Sequence, residues 1–204
     1  MNMEGLVISL PAILLALSVH EFAHGYVAYR LGDMTPKYEG RLTLNPLAHL
    51  DFIGTLMLIF VHFGWAKPVM VNPANFRGDK KKGMLYVALA GPLSNVLLAL
   101  TGGILYNLLI KMNAANFWIL LVQFLIIINV NLAVFNLIPV PPLDGSKILA
   151  GLLPYKMHNL IYQLEAYGPI ILIFLLVTNV FGMILGPIVG GLLDIIMRIS
   201  NLII

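Results

Sequence analysis

The hydrophobic pattern of the chain falls into long uncharged stretches separated by short polar ones. From Leu6 to Tyr29 the only charged or imidazole side chains are His20, Glu21 and His24, and the run ends at Arg30, Gly32 and Asp33. It predicts one membrane-length helix. Met34 to Asp51 is polar and rich in turn residues; within it Arg41-Leu42-Thr43-Leu44 alternates polar with apolar, predicting a short strand ended by Asn45-Pro46. Phe52 to Trp65 is apolar, but its 14 residues make only about 21 Å of helix against a hydrocarbon core of roughly 30 Å. A re-entrant or interfacial hairpin is expected there. Lys67 to Pro73 is expected to be extended, because Pro68 and Pro73 bias the residues before them away from helical backbone.

Met84 to Ile110 and Met112 to Leu143 are each long enough to cross a bilayer. The second is broken by Pro139, Pro141 and Pro142, which lack the N–H groups a continuing helix needs, and Asp144 follows at once. Ala166 to Leu193 is uncharged, and Gly182, Gly186 and Pro187 predict a turn within it, giving a helical hairpin near the C-terminus. The expected fold is an all-α integral membrane protein. It would be a bundle of about five to six transmembrane helices with a short re-entrant or β-hairpin element, forming a single domain over residues 1–204. The first run lacks a basic leader and a small-residue cleavage site, so it is read as retained rather than as a signal peptide.

Composition agrees with this picture. Of 204 residues, 60% are hydrophobic and 10% charged, and the mean hydropathy is +0.93; soluble domains carry about a quarter charged residues. The absence of cysteine excludes disulfides, thiolate metal ligands and a cysteine nucleophile. The net charge of +3 and the run Lys80, Lys81, Lys82 suit lipid headgroups. No basic stripe with interleaved aromatics is present, so nucleic acid is not an expected partner. The lipid bilayer is.

His20-Glu21-Phe22-Ala23-His24 is an HExxH pattern. On a helix, positions i and i+4 lie one turn apart on one face, so the two imidazoles can converge on one Zn²⁺ while Glu21 stands beside them as a general base. A charged side chain at the centre of a spanning helix costs about 2.5 to 3.5 kcal/mol, which makes such a group functional by default. Counting back from Arg30, the two histidines lie about 9 to 15 Å below the helix end. A catalytic zinc needs a third protein ligand and an open position. The candidates are Asp144, Glu165, Asp51, His49 and His62, with Asp144 best placed because it follows a proline-broken backbone at the end of an apolar run. Its bland role would be to cap a helix starting near Gly145.

His20-Glu21-Phe22-Ala23-His24, Gly91-Pro92-Leu93-Ser94-Asn95 and Asn136-Leu137-Ile138-Pro139-Val140-Pro141-Pro142-Leu143-Asp144-Gly145 together resemble the site-2 protease family of intramembrane zinc metalloproteases. Gly40 to Pro46 and Phe63 to Val69 extend the likeness over most of the chain. The resemblance implies that His20, His24 and Asp144 bind one zinc ion, that Glu21 is the catalytic glutamate, and that Asn136 and Asn95 are active-site or substrate-positioning groups. The implied reaction is hydrolysis of a peptide bond within or near a transmembrane segment of a membrane-protein substrate. Many members also carry a PDZ or CBS domain and a helix before the HExxH helix; neither is expected here, which leaves regulation open. A helical substrate must unwind to expose its carbonyls, and the segments Arg41 to Leu44 and Lys67 to Val71 are either an edge on which it pairs or a structural hairpin.

A transporter for zinc or another divalent metal would use the same ligands, and a structural metal site would close the fourth position; Glu21 argues against the transporter, which needs no base. Orientation follows from the basic residues. If Phe52 to Trp65 only dips, Arg30, Lys37, Arg41, Lys67, Arg77, Lys80, Lys81, Lys82, Lys147 and Lys156 share one side and Lys111 faces the other. That bias predicts a cytoplasmic basic side, the N-terminus outside, and an active site in the cytoplasmic half of the bilayer.

Overall fold

The first apolar run forms helix α1 (Met3–Arg30) in the computed structural model, which describes residues 3–61, 66–178 and 180–204. Pro11 lies inside it without ending it, because a backbone in lipid has no water to turn to and the helix re-satisfies what proline removes. Past Arg30 the chain turns at Gly32, whose φ of 109° lies in the left-handed region that a side chain disfavours. Buried Asp33 then accepts from the Thr35 N–H at 3.1 Å and the Thr35 hydroxyl at 2.6 Å, opening the short α2 (Thr35–Tyr38).

The next helix, α3 (Phe52–Val61), has 10 residues, about 15 Å, and is too short to span. Asp51 Oδ1 accepts the Gly54 N–H at 2.8 Å at its start. Helix α4 (Lys80–Lys111) begins at Asp79, whose side chain accepts from the Lys81 and Lys82 N–H groups; α5 (Asn116–Asn136) follows after a tight turn in which Asn113 has φ 49°. The chain ends with α6 (Asp144–Leu152), α7 (His158–Val177) and α8 (Val180–Ile203).

Helix α4 is the hub, packing against α1, α5, α6 and α8. Ala99, Val122, Ile126, Val130, Val134 and Ile196 form the apolar core where α4, α5 and α8 meet. Four helical segments among the described residues are long and apolar enough to cross a membrane: Ile8–Arg30, Lys80–Lys111, Asn116–Asn136 and Gly182–Ile203. The protein is an all-α integral membrane protein. Those segments account for four of the five or six spans expected, and α7 is itself a 20-residue helix.

The two ends of the bundle are distinct. At one, Arg77 donates its N–H to the Leu31 carbonyl at 2.7 Å and the Lys81 ammonium bonds the Leu153 carbonyl, joining the end of α1, the start of α4 and the end of α6. At the other, Asn107 donates to Asn201 at 2.7 Å and Lys111 to the Ile204 carbonyl at 2.5 Å, joining the ends of α4 and α8.

Two local expectations change. Arg41 to Leu44 is not a strand: Arg41 is buried and its guanidinium bonds the Ala48 carbonyl, while Leu44 is exposed. The stretch is a loop held by an arginine. Pairing among the described residues is limited to an isolated antiparallel bridge between Leu50 and Ala66, with Lys67 donating to the His49 carbonyl at 2.8 Å; the rest of the hairpin reading, and the Phe63-Gly64-Trp65 motif, lie outside the described residues. The helical hairpin near the C-terminus breaks between Val177 and Val180 rather than at Gly182 to Pro187. Thr178 ends α7 by donating its N–H at 3.0 Å and its hydroxyl at 2.7 Å to the Phe174 carbonyl.

Candidate metal centre

Helical spacing sets His20 and His24 on one face of α1, and both are buried. Their Nε2 atoms lie 3.0 Å apart. Asp144, on the first turn of α6, brings its Oδ2 to 3.1 Å from His20 Nε2 and 3.0 Å from His24 Nε2. The residue preceding α6 is Leu143, with no side-chain cap, so the Asp144 carboxylate faces the histidines instead of closing its own helix.

The far side of each imidazole fixes what the near side offers. His24 Nδ1 is 2.7 Å from the Val87 carbonyl, which can only accept, and His20 Nδ1 is 2.5 Å from Asn95 Oδ1. Each Nδ1 therefore carries the proton and each Nε2 presents a lone pair. Two ring nitrogens and a carboxylate oxygen face one another at 3.0 to 3.1 Å, which is a cradle for a cation. Ligands at about 2.0 to 2.1 Å around a tetrahedral zinc are roughly 3.3 Å apart, close to the spacing seen. The residues fit zinc.

Two glycines let the helices come this close. A Cβ on Gly91 of α4 would overlap His24 Nε2 and the His20 ring, and one on Gly145 would overlap the Leu137 and Ile138 carbonyls. The glycines in both sequence motifs are thus positions of close approach rather than flexible joints.

Beside the cluster lies a cavity of about 340 Å³, lined by Glu21, Asn136, Lys147 and the segment Pro68 to Val71 as well as by the three cluster residues. Glu21 Oε2 accepts the Val69 N–H at 3.0 Å. Lys147 Nζ stands 3.7 Å from Asp144 Oδ1, the oxygen turned away from the histidines. Lys67 to Val71 forms neither helix nor ladder, and Asn72, which follows it, has extended backbone.

Of the residues singled out in the sequence, His20, Glu21, His24, Asp144 and Asn136 come together around this cavity. Asn136 also donates to the Leu132 carbonyl at 3.0 Å. Asn95 is fully buried behind His20 instead of lining the cavity. The rival ligands lie elsewhere: Asp51 caps α3, His49 Nε2 meets the Thr43 carbonyl at 2.8 Å, and Glu165 is exposed on α7. His62 is outside the described residues.

Sequence reasoning missed Lys147, the Val69 N–H, Asp33 and Asn129. Asn129 had a legible signal, as a polar side chain in the middle of a spanning run. Asp33 Oδ2 accepts the Asn72 N–H at 2.7 Å and its Oδ1 the Asn75 amide at 2.8 Å, so one buried carboxylate ties the extended segment to the end of α1.

Comparison with known proteins supplies the context. The profile of peptidase family M50 matches residues 103–178. YwhC of Bacillus subtilis (strain 168), provisionally named a zinc metalloprotease, is 40% identical over 198 residues, covering 93% of this chain and 89% of its own. MJ0611 of Methanocaldococcus jannaschii, named likewise, is 35% identical over 146 residues, 70% of this chain and 69% of its own. Rip2 of Mycolicibacterium smegmatis, also so named, is 31% identical over 170 residues, 81% of this chain and 64% of its own. No solved structure matches the chain significantly.

Proposed function

Since the chain belongs to peptidase family M50, the site-2 protease family, and is a zinc metalloprotease embedded in a membrane, we propose that it hydrolyses peptide bonds within or near the transmembrane segments of membrane-protein substrates. One observation carries this reading. The His20, His24 and Asp144 ligand atoms converge at one wall of a cavity that also holds the Glu21 carboxylate, on a helix long enough to span.

In this reading His20, His24 and Asp144 hold the zinc. When bound, the ion supplies Lewis acidity to the substrate carbonyl and to water. Glu21 accepts the proton of the attacking water and returns it to the leaving amine, as its place beside the ligands and outside their set allows. Asn136, on the same cavity, orients the substrate backbone. Pro68 to Val71, a non-helical segment, bounds the cavity; a helical substrate unwinds there, because its carbonyls must be freed from helical hydrogen bonds before they can react. Burial of the site excludes bulk water except through the cavity.

The end of the bundle that carries Arg30, Lys80 and Asp144 holds most of the basic residues; we place it in the cytoplasm, with the N-terminus outside.

The test is Glu21→Gln. The amide keeps shape and hydrogen bonding but not basicity, so zinc content and fold should match wild type while cleavage of a membrane substrate falls by about 10²- to 10⁴-fold. Turnover equal to wild type would overturn the mechanism.

A further inference from the structure

Asn129 lies in the middle of α5, fully buried, in a span whose neighbours are Ile126, Ile127, Ile128 and Val130. A bare amide in that setting costs several kcal/mol. Its two ends are both used. Nδ2 donates to the Leu125 carbonyl one turn back at 2.8 Å, and Oδ1 accepts from Asn95 Nδ2 at 2.7 Å. Asn95, on α4 and also fully buried, donates with the same Nδ2 to the Ala16 carbonyl on α1 at 3.2 Å, and its Oδ1 meets His20 Nδ1 at 2.5 Å.

These bonds form a chain with one polarity. A backbone carbonyl can only accept, so Leu125 forces the Asn129 amide nitrogen toward itself and the Asn129 oxygen toward Asn95. Asn95 must then turn its nitrogen to Asn129 and Ala16 and its oxygen to His20. Flipping Asn95 would set its oxygen against two acceptors at once. With an oxygen at 2.5 Å, His20 must hold its proton on Nδ1. His24 reaches the same tautomer through one direct bond to the Val87 carbonyl; His20 has no backbone acceptor at its Nδ1 and depends on two side chains.

We propose that Asn129 is a positioning residue: acting through Asn95, it fixes the tautomer and ring orientation of His20 so that Nε2 faces the metal cluster. The chain joins three of the helices around the site, α5 through Asn129, α4 through Asn95 and α1 through Ala16 and His20. It carries the orienting of one ligand from 109 residues away in sequence. A contrasting residue is at hand. Asn131, two positions on, is exposed and donates to the Ile127 carbonyl of its own helix. It has the same chemistry without the connection to α4.

The consequence for metal binding rests on the proposed ligand role of His20, so the experiment separates the two. In metal-free, full-length protein with ¹⁵N-labelled histidine, held at an alkaline pH where the ring spectrum shows a neutral imidazole, the ring-nitrogen resonances of His20, assigned by their loss in His20→Ala, report the tautomer. Wild type and Asn131→Leu should show a protonated Nδ1 and a bare Nε2. Asn129→Leu, which leaves Asn95 held only by its longer bond to the Ala16 carbonyl, should give a measurable fraction of the Nε2-protonated form. Asn129→Ser should do the same with less disturbance, because serine satisfies itself on its own helix, as Ser18 and Ser200 do here on Leu14 and Ile196 at 2.6 and 2.7 Å, yet is too short to hold Asn95.

In a second arm, zinc affinity is measured by competition with a chromophoric chelator. Outer partners of metal-bound histidines are worth about 10- to 100-fold in affinity, and Asn129→Leu should lose about tenfold, at the low end because it acts at one remove. The double variant Asn95→Ala with Asn129→Leu should bind no more weakly than Asn95→Ala, since both act along one path. A His20 that is Nε2-protonated in wild type, an unchanged tautomer in both Asn129 variants, or additive losses of zinc affinity would each overturn the proposal. If wild type binds zinc no better than His20→Ala, the ligand assignment falls, and the tautomer arm still decides the role of Asn129.

Discussion

The Val69 N–H donates to Glu21 Oε2 at 3.0 Å, across 48 residues of sequence. The bond joins the proposed base to the non-helical segment that walls the cavity, so the carboxylate is aimed by backbone rather than by a side chain. Hydrogen bonds to charged groups are worth about 1.5 to 3 kcal/mol, enough to hold one rotamer of Glu21. Val69→Pro deletes the donor, and Val69→Ala keeps it. The proline variant should lose about tenfold or more in turnover with zinc content unchanged, and the alanine variant should stay near wild type. Equal rates in both would show that the bond does not orient the base.

Asp144 and Glu165 separate cleanly as ligand candidates. Asp144→Ala removes one of three converging atoms and leaves two buried imidazoles facing open space, so zinc occupancy of the purified protein should fall by more than tenfold. Glu165 is exposed on α7 and away from the cluster; Glu165→Ala should keep full occupancy. Metal analysis of the two proteins decides between them, and the reverse pattern would move the third ligand to α7.

Asp33 predicts an acid limit to stability. Burial pushes its carboxyl upward, but hydrogen bonds from Thr35, Asn75 and Asn72 outweigh that and hold it below the ordinary carboxylate value. A group depressed in the folded state stabilises fully above its unfolded pKa of about 3.9, and that contribution is lost as pH falls through the lower folded value. Thermal unfolding between pH 7 and pH 3 should show Asp33→Asn with a lower Tm at neutral pH and a shallower decline toward acid. A variant curve parallel to wild type would mean that Asp33 stays charged or neutral alike in both states.

The absence of cysteine makes sidedness testable with single introduced thiols. Lys37 and Met112 are both exposed, near opposite ends of the bundle. With an impermeant thiol reagent on intact cells, Met112→Cys should label and Lys37→Cys should be protected until the cells are broken. The opposite pattern would put the metal cluster in the outer half of the bilayer.

Much of the candidate site was visible in the sequence because its chemistry contrasts with its setting. His20, Glu21 and His24 stand out in an apolar span, and Asp144 stands out where three prolines end another. The same contrast fails for groups that act through tertiary contacts. Nothing local in Asn95 distinguishes a residue that faces the cavity from one that sits behind His20; only the packing of α4 on α1 decides it. At Arg41 to Leu44 the alternation of polar and apolar residues does not correspond to alternating burial, since polar Arg41 is buried and apolar Leu44 exposed. The glycine and proline of Gly186-Pro187 suggested a break that the lipid environment overrides, because an interrupted backbone there would have no partner for its polar groups. α8 runs through it.

Gly91 has a consequence for how this protein can change over time. Its missing side chain is the space into which the two imidazoles fit, so HExxH on α1 and glycine on α4 are locked in register like teeth on two racks. A deletion of one turn in α1, tolerable for a helix that merely spans, would carry the histidines about 5.4 Å along the axis and set them against residues that have side chains. Insertions and deletions on these two helices should therefore be inherited in matched pairs or confined to the ends beyond the motifs.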